Sequence, residues 1–111
     1  MNLKKLNSYN EFKYNEFLQG KKLVLNAIKF DEKTSTIKGE LVITEDPTKE
    51  NLYGKINFKI EEKLINDVNK YEVGKLYKMV GISKAVIWGD MKDSLSITCK
   101  ELAKDDAKTA H

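Results

Sequence analysis

LYGKINFKIEEKLINDVNKYEVGKLYKMVGISKAVIWG, residues 52–89, changes its period twice. From Tyr53 to Lys59 it alternates, with Ile56, Phe58 and Ile60 on one side and Tyr53, Lys55, Asn57 and Lys59 on the other, the pattern of a half-buried strand. Leu64, Val68 and Tyr71 then fall at i, i+4 and i+7, giving about two turns of helix with one narrow apolar face that ends at Gly74. After Gly74 the chemistry returns to that of a strand: Leu76, Tyr77, Met79, Val80 and Ile82, then Ala85, Val86, Ile87 and Trp88.

Upstream of this stretch, EDPTKEN carries the single proline, Pro47, has no period and reads as a surface loop. Before it, Thr36 to Thr44 alternates, with Ile37, Leu41 and Ile43 on the face of Gly39, which marks a bulge or a sharp bend. LVLNAIKF, ending at Phe30, is apolar on both faces and forms a first strand. In residues 1–20, Ser8 followed by Glu11 has the form of a capping box, and Tyr9, Phe12 and Phe17 share a face of a helix that ends at Gly20; the alternative is an irregular aromatic arm. Downstream, GDMKDS turns into a fifth strand in which Leu95, Ile97 and Cys99 alternate with Ser94, Ser96, Thr98 and Lys100. From Glu101 the tail loses strand character and frays.

The expected fold is therefore all-β: a five-stranded barrel with one helix between strands three and four, which is the order of the oligonucleotide-binding (OB) fold, preceded by an N-terminal arm or short helix. The expected organisation is an arm over 1–20, the barrel over 21–103 and a short flexible tail over 104–111. At 111 residues the chain suffices for one core. It has no apolar run near the ~18 residues of a membrane span. The N-terminus lacks an apolar signal segment and Cys99 is the single cysteine, so a cytoplasmic protein without disulfides is expected.

The net charge is +3, yet all 20 basic residues are lysine. Lysine lacks the bidentate fork that reads guanine edges, which argues against sequence-specific reading of the major groove, but it still neutralises phosphate. A lysine bias of the encoding genome explains the composition equally well. His111 is the single histidine, and no phosphate-binding glycine loop or CxxC pair is present. Asp90 and Asp93 flank a turn, where aspartates usually bond their own backbone. No enzyme, metal site or cofactor is expected.

What remains is lysine interleaved with aromatic rings, the composition of surfaces that track a phosphate backbone while bases stack. The candidate nucleic-acid-binding residues are Lys38 on strand two; Tyr53, Lys55, Asn57 and Lys59 on strand three; Tyr77, Lys78 and Trp88 on strand four; and Lys84 and Lys92 toward the turn that follows. Tyr71 and Phe58 are assigned to the core, and Phe30 fits the core better than a binding face. Tyr77 and Trp88 stay open between stacking platform and core.

INFKIEEKLINDVNKYEVGKLYKMVGISKAVIW resembles the equivalent segment of bacterial and phage single-stranded DNA-binding proteins of the OB fold, nearest to the divergent versions carried by phages and plasmids. Leu64, Tyr71, Gly74, Gly81 and Trp88 sit at matching places, and the resemblance spans roughly residues 52–90. It implies an inner helical face bearing Leu64 and Tyr71 and a fourth strand interrupted at Gly81. It also implies non-sequence-specific binding of single-stranded DNA in replication, recombination or conjugative transfer. The tail has Asp105 and Asp106 but lacks the family's apolar, partner-recruiting tip. Implied partners are single-stranded DNA, with RNA as the variant, and further copies of the chain in a homo-oligomer joined through strand one or the arm. The alternative function is a protein-interaction module on the same barrel, such as a phage assembly or host-inhibiting component, since a fold does not dictate an activity.

Overall fold

The computed structural model describes residues 14–88 and 94–105. Ser8, Tyr9, Glu11, Phe12, Gly89, Asp90, Lys92, Asp93, Asp106 and His111, named above, lie outside the described residues. Those described are mostly β: α1 (Tyr14–Leu18), β1 (Lys22–Asp31), β2 (Thr36–Glu45), β3 (Lys55–Ile60), a 3-10 helix (Ile65–Lys70), β4 (Leu76–Val80), β5 (Lys84–Trp88), β6 (Ser94–Cys99) and β7 (Glu101–Lys104). The strands form a single sheet in the order β5-β6-β3-β2-β1-β4-β7. β3 pairs with β6 in parallel, and every other pairing is antiparallel.

Alternation makes the core. Ile56, Phe58 and Ile60 of β3 are buried while Lys55, Asn57 and Lys59 between them are exposed, and Leu95, Ile97 and Cys99 of β6 are buried by the same period. Leu23, Leu25, Ile37, Leu41, Ile43, Tyr77 and Leu102 complete the interior, with Phe17 of α1 closing one end. Burial pushes the Cys99 thiol up to about 11. The short α1 ends at Gly20, whose φ of +77° is open to glycine without strain. Lys21 after it donates to the Phe17 carbonyl oxygen, lies 4.4 Å from the Phe17 ring centroid and pairs with Asp46 at 3.5 Å. Asp46, buried in the EDPTKEN loop, also accepts from the N–H groups of Thr48 and Asn51.

One expectation holds and two change. The interruption of strand four at Gly81 is present as the gap between β4 and β5, where Gly81 turns to a φ of +71° and Ser83 N–H donates to Thr98 O across the break. The chain after Glu101 does not lose strand character: β7 pairs residue for residue with β4, from Tyr77↔Lys104 to Val80↔Glu101. The expected α-helix is a 3-10 helix with no buried residue, and Leu64 just before it is exposed rather than inward-facing, while Val68 and Tyr71 pack half-buried against the core. It runs for two 3-10 turns: Asp67 caps its start by accepting from Leu64 N–H at 2.8 Å, while Asn66 and Asn69 are weak formers of an α-helix. The bulge anticipated near Gly39 sits on β1, where the register with β2 shifts between Leu25 and Ala27. Gly39 is required for a different reason: a Cβ there would lie 2.6 Å from the Phe58 ring and collide with the Ala27 carbonyl.

Candidate functional site

Because residues opposite one another in a ladder project from the same face, the register assembles side chains from distant strands into rows. Lys29 of β1 stands opposite Lys38 of β2, Lys38 opposite Lys59 of β3, Lys59 opposite Thr98 of β6, and Thr98 opposite Lys84 of β5. Four lysines thus share one row across five strands, about 19 Å from end to end at ~4.8 Å per strand. The next row, Ala27–Glu40–Asn57–Ser96–Val86, is small and mostly polar. Trp88 stands one register step further along β5, opposite Ser94.

These rows line a groove of about 650 Å³. Its wall includes Lys29, Lys38, Lys59 and Lys84, the polar Glu40, Asn57, Ser96 and Thr98, and Trp88 at one end. Trp88 is 50% exposed, so part of its side chain is open to solvent. Lys38 pairs with Asp31 at 2.9 Å, and that hydrogen bond is the main reason the Asp31 carboxyl lies below its ordinary range. Among the described residues, Lys29, Lys59 and Lys84 form no ion pair, which leaves three ammonium groups of the row free to meet an anion. Glu40 is the one carboxylate on the groove wall among the described residues.

Of the candidate residues, Lys38, Asn57, Lys59, Lys84 and Trp88 come together here. Lys55 lies on the same exposed face of β3, beside the groove, with its ammonium 3.9 Å from Glu40. Tyr77 is a correction: at 2% exposure it belongs to the core, where its ring meets Tyr71 edge to face at 5.7 Å and its hydroxyl oxygen accepts from Glu72 N–H at 2.8 Å. Lys78 is exposed, but on β4, beyond β1 from the groove. Tyr53 is 62% exposed yet not on a strand; it sits in the turn before β3 with a φ of +67°, donates its N–H to Ile43 O and does not line the groove. Lys92 lies outside the described residues.

Sequence reasoning missed Lys29, Glu40, Ser96 and Thr98. Ser96 and Thr98 were visible as the polar phase of their strand. Lys29 was hidden in a stretch read as apolar on both faces, although Ile28 and Phe30 flank it in the alternating phase.

No family model matches this chain, and neither a curated protein nor a solved structure matches it.

Proposed function

We propose that this chain binds single-stranded DNA without sequence specificity, in replication, recombination or conjugative transfer, on an OB-type barrel. The strand order supports the barrel reading. β1, β2 and β3 form a meander, β3 runs parallel to β6, β1 pairs with β4, and the short helix falls between β3 and β4. Taken as one bent strand each, β4 with β5 and β6 with β7 reduce the seven segments to five. In this reading the β4–β7 and β5–β6 pairs are the two halves of one long hairpin, and the hydrogen bond from Lys100 N–H to Val80 O at 2.9 Å at its bend supports it.

The observation that carries the function is the row Lys29–Lys38–Lys59–Thr98–Lys84 beside a half-exposed tryptophan. Lysines at strand spacing neutralise a phosphate backbone, the polar row next to them takes bases without demanding one sequence, and the ring offers a stacking surface. The resemblance of residues 52–90 to single-stranded DNA-binding proteins supports the same reading. A second reading, a protein-interaction module, is favoured by the exposed Leu64, Ile65 and Val73 around the short helix. Titration of labelled single-stranded DNA, duplex DNA and RNA at two salt concentrations tests the proposal. Tighter binding of single strands that weakens steeply with salt is expected, and absence of binding to all three favours the second reading.

A further inference from the structure

Glu40 stands where an acidic side chain opposes the groove's purpose. It lies in the polar row between Ala27 of β1 and Asn57 of β3, beside the lysine row, and its side chain is only 25% exposed. One carboxylate oxygen, Oε2, is held from two sides: Asn26 Nδ2 donates to it at 2.6 Å and Lys55 Nζ lies 3.9 Å away. The other oxygen, Oε1, accepts no hydrogen bond among the described residues. The carboxylate is therefore fixed through one oxygen while the other keeps its full accepting capacity at the groove wall. A purely electrostatic cradle for phosphate gains nothing from this arrangement, because an anion there lowers the affinity for a polyanion.

The other polar groups of that row do not discriminate. Asn57 both donates and accepts, and so does Ser96, so each can serve any base edge. A carboxylate accepts only. It matches the amino group at the 4-position of cytosine and faces the bare carbonyl oxygen that uracil or thymine carries at the same position, which it repels.

Building on the single-strand-binding reading, we infer that Glu40 is a specificity-determining residue that favours bases presenting an exocyclic amino group over uracil and thymine. The preference is one of composition, added to a backbone grip that ignores sequence.

The test compares oligo(dC) with oligo(dU), which have the same backbone and ring size and differ at the 4-position and the adjacent N3. Both are titrated against wild-type protein, Glu40→Gln and Asn57→Ala at one fixed salt concentration. A glutamine keeps the acceptor for Asn26 and adds a donor that can serve the uracil carbonyl. The wild type is expected to bind oligo(dC) about tenfold more tightly than oligo(dU). Glu40→Gln is expected to bring that ratio near one, whatever the loss of a negative charge does to overall affinity. Asn57→Ala is expected to weaken both oligonucleotides alike and leave the ratio in place. Equal binding of the two by the wild type, or a ratio unchanged in Glu40→Gln, overturns the inference and leaves single-strand binding standing. Failure of the wild type to bind either oligonucleotide overturns both.

Discussion

Lys38 of β2 and Lys59 of β3 face one another directly across an antiparallel ladder, on the same side of the sheet. Like charges so placed are destabilising, and although Asp31 at 2.9 Å offsets part of the Lys38 charge, Lys59 forms no ion pair among the described residues. Replacing Lys59 by Gln should therefore make the free protein more stable, by up to about 1 kcal/mol, while weakening its hold on single strands. Urea unfolding and a binding titration on the same variant check both halves. A variant that loses stability and keeps its affinity would make the row an accident of composition.

The four lysines of the row are expected to carry most of the salt response. Each phosphate contact on a single strand contributes about 0.7 to the slope of log affinity against log salt. Lys84→Ala and Lys29→Ala should each flatten that slope by up to about 0.7, whereas Lys78→Ala, on the far side of β1, should leave it unchanged. Titrations over a range of salt concentrations decide this.

Trp88 and Tyr77 should behave oppositely. Trp88 is half-exposed at the end of the groove, so Trp88→Ala should weaken single-strand binding by about 1–3 kcal/mol with little change in unfolding temperature. Its fluorescence should quench when single strands are added. Tyr77 is core, so Tyr77→Ala should cost about 3–5 kcal/mol of stability, with binding lost only as the fold is lost. Thermal unfolding and affinity measured side by side separate the two patterns.

Asp46 makes a pH prediction. Burial works against its charge, but hydrogen bonds from the N–H groups of Asn51 and Thr48, together with the nearby Lys21 ammonium, hold the carboxyl below its ordinary value of 3.8. A carboxyl lowered on folding contributes stability that is present above the unfolded value and disappears as pH falls through the lowered one. The acid limb of the stability curve should therefore steepen below about pH 4. Asp46→Asn should flatten it and cost about 1–3 kcal/mol near neutrality, because Lys21 loses its partner in a buried setting. Unfolding measured from pH 2.5 to pH 7 on both proteins checks the sign.

Much of the fold was legible because a period of two is a strong signal where one face is buried. Ile56, Phe58 and Ile60 turned inward and Lys55, Asn57 and Lys59 outward as their spacing required. The short helix was read too generously, because spacing at i, i+4 and i+7 carries no information on whether so short a helix has anything to pack against, and Leu64 does not. Tyr77 could not be assigned because its strand has apolar side chains on both phases, Tyr77 and Met79 against Leu76 and Val80. Its direction is fixed by pairing with Leu23 and Lys104, both distant in sequence. For the site, single strands showed lysines but not the row. Lys29, Lys38, Lys59 and Lys84 become neighbours only through registers that span four ladders, and a parallel ladder such as that between β3 and β6 leaves no turn in the sequence to announce it.

The parallel ladder between β3 and β6 also governs how the groove comes into being. Lys29, Lys38 and Lys59 belong to a meander of strands adjacent in sequence, and Lys84, Trp88, Ser96 and Thr98 to a separate hairpin; each can form from local contacts. Across the groove the two units meet where Asn57 to Ile60 joins Ser96 to Cys99, about forty positions apart in the chain. Closing so long a loop is entropically costly, so this seam is expected to form after the meander and the hairpin and to open before them. On the proposed function, a strand of nucleic acid along the lysine row would span the seam, contact both units and favour its closed form, so adding single strands should slow amide exchange in β6 more than in β1.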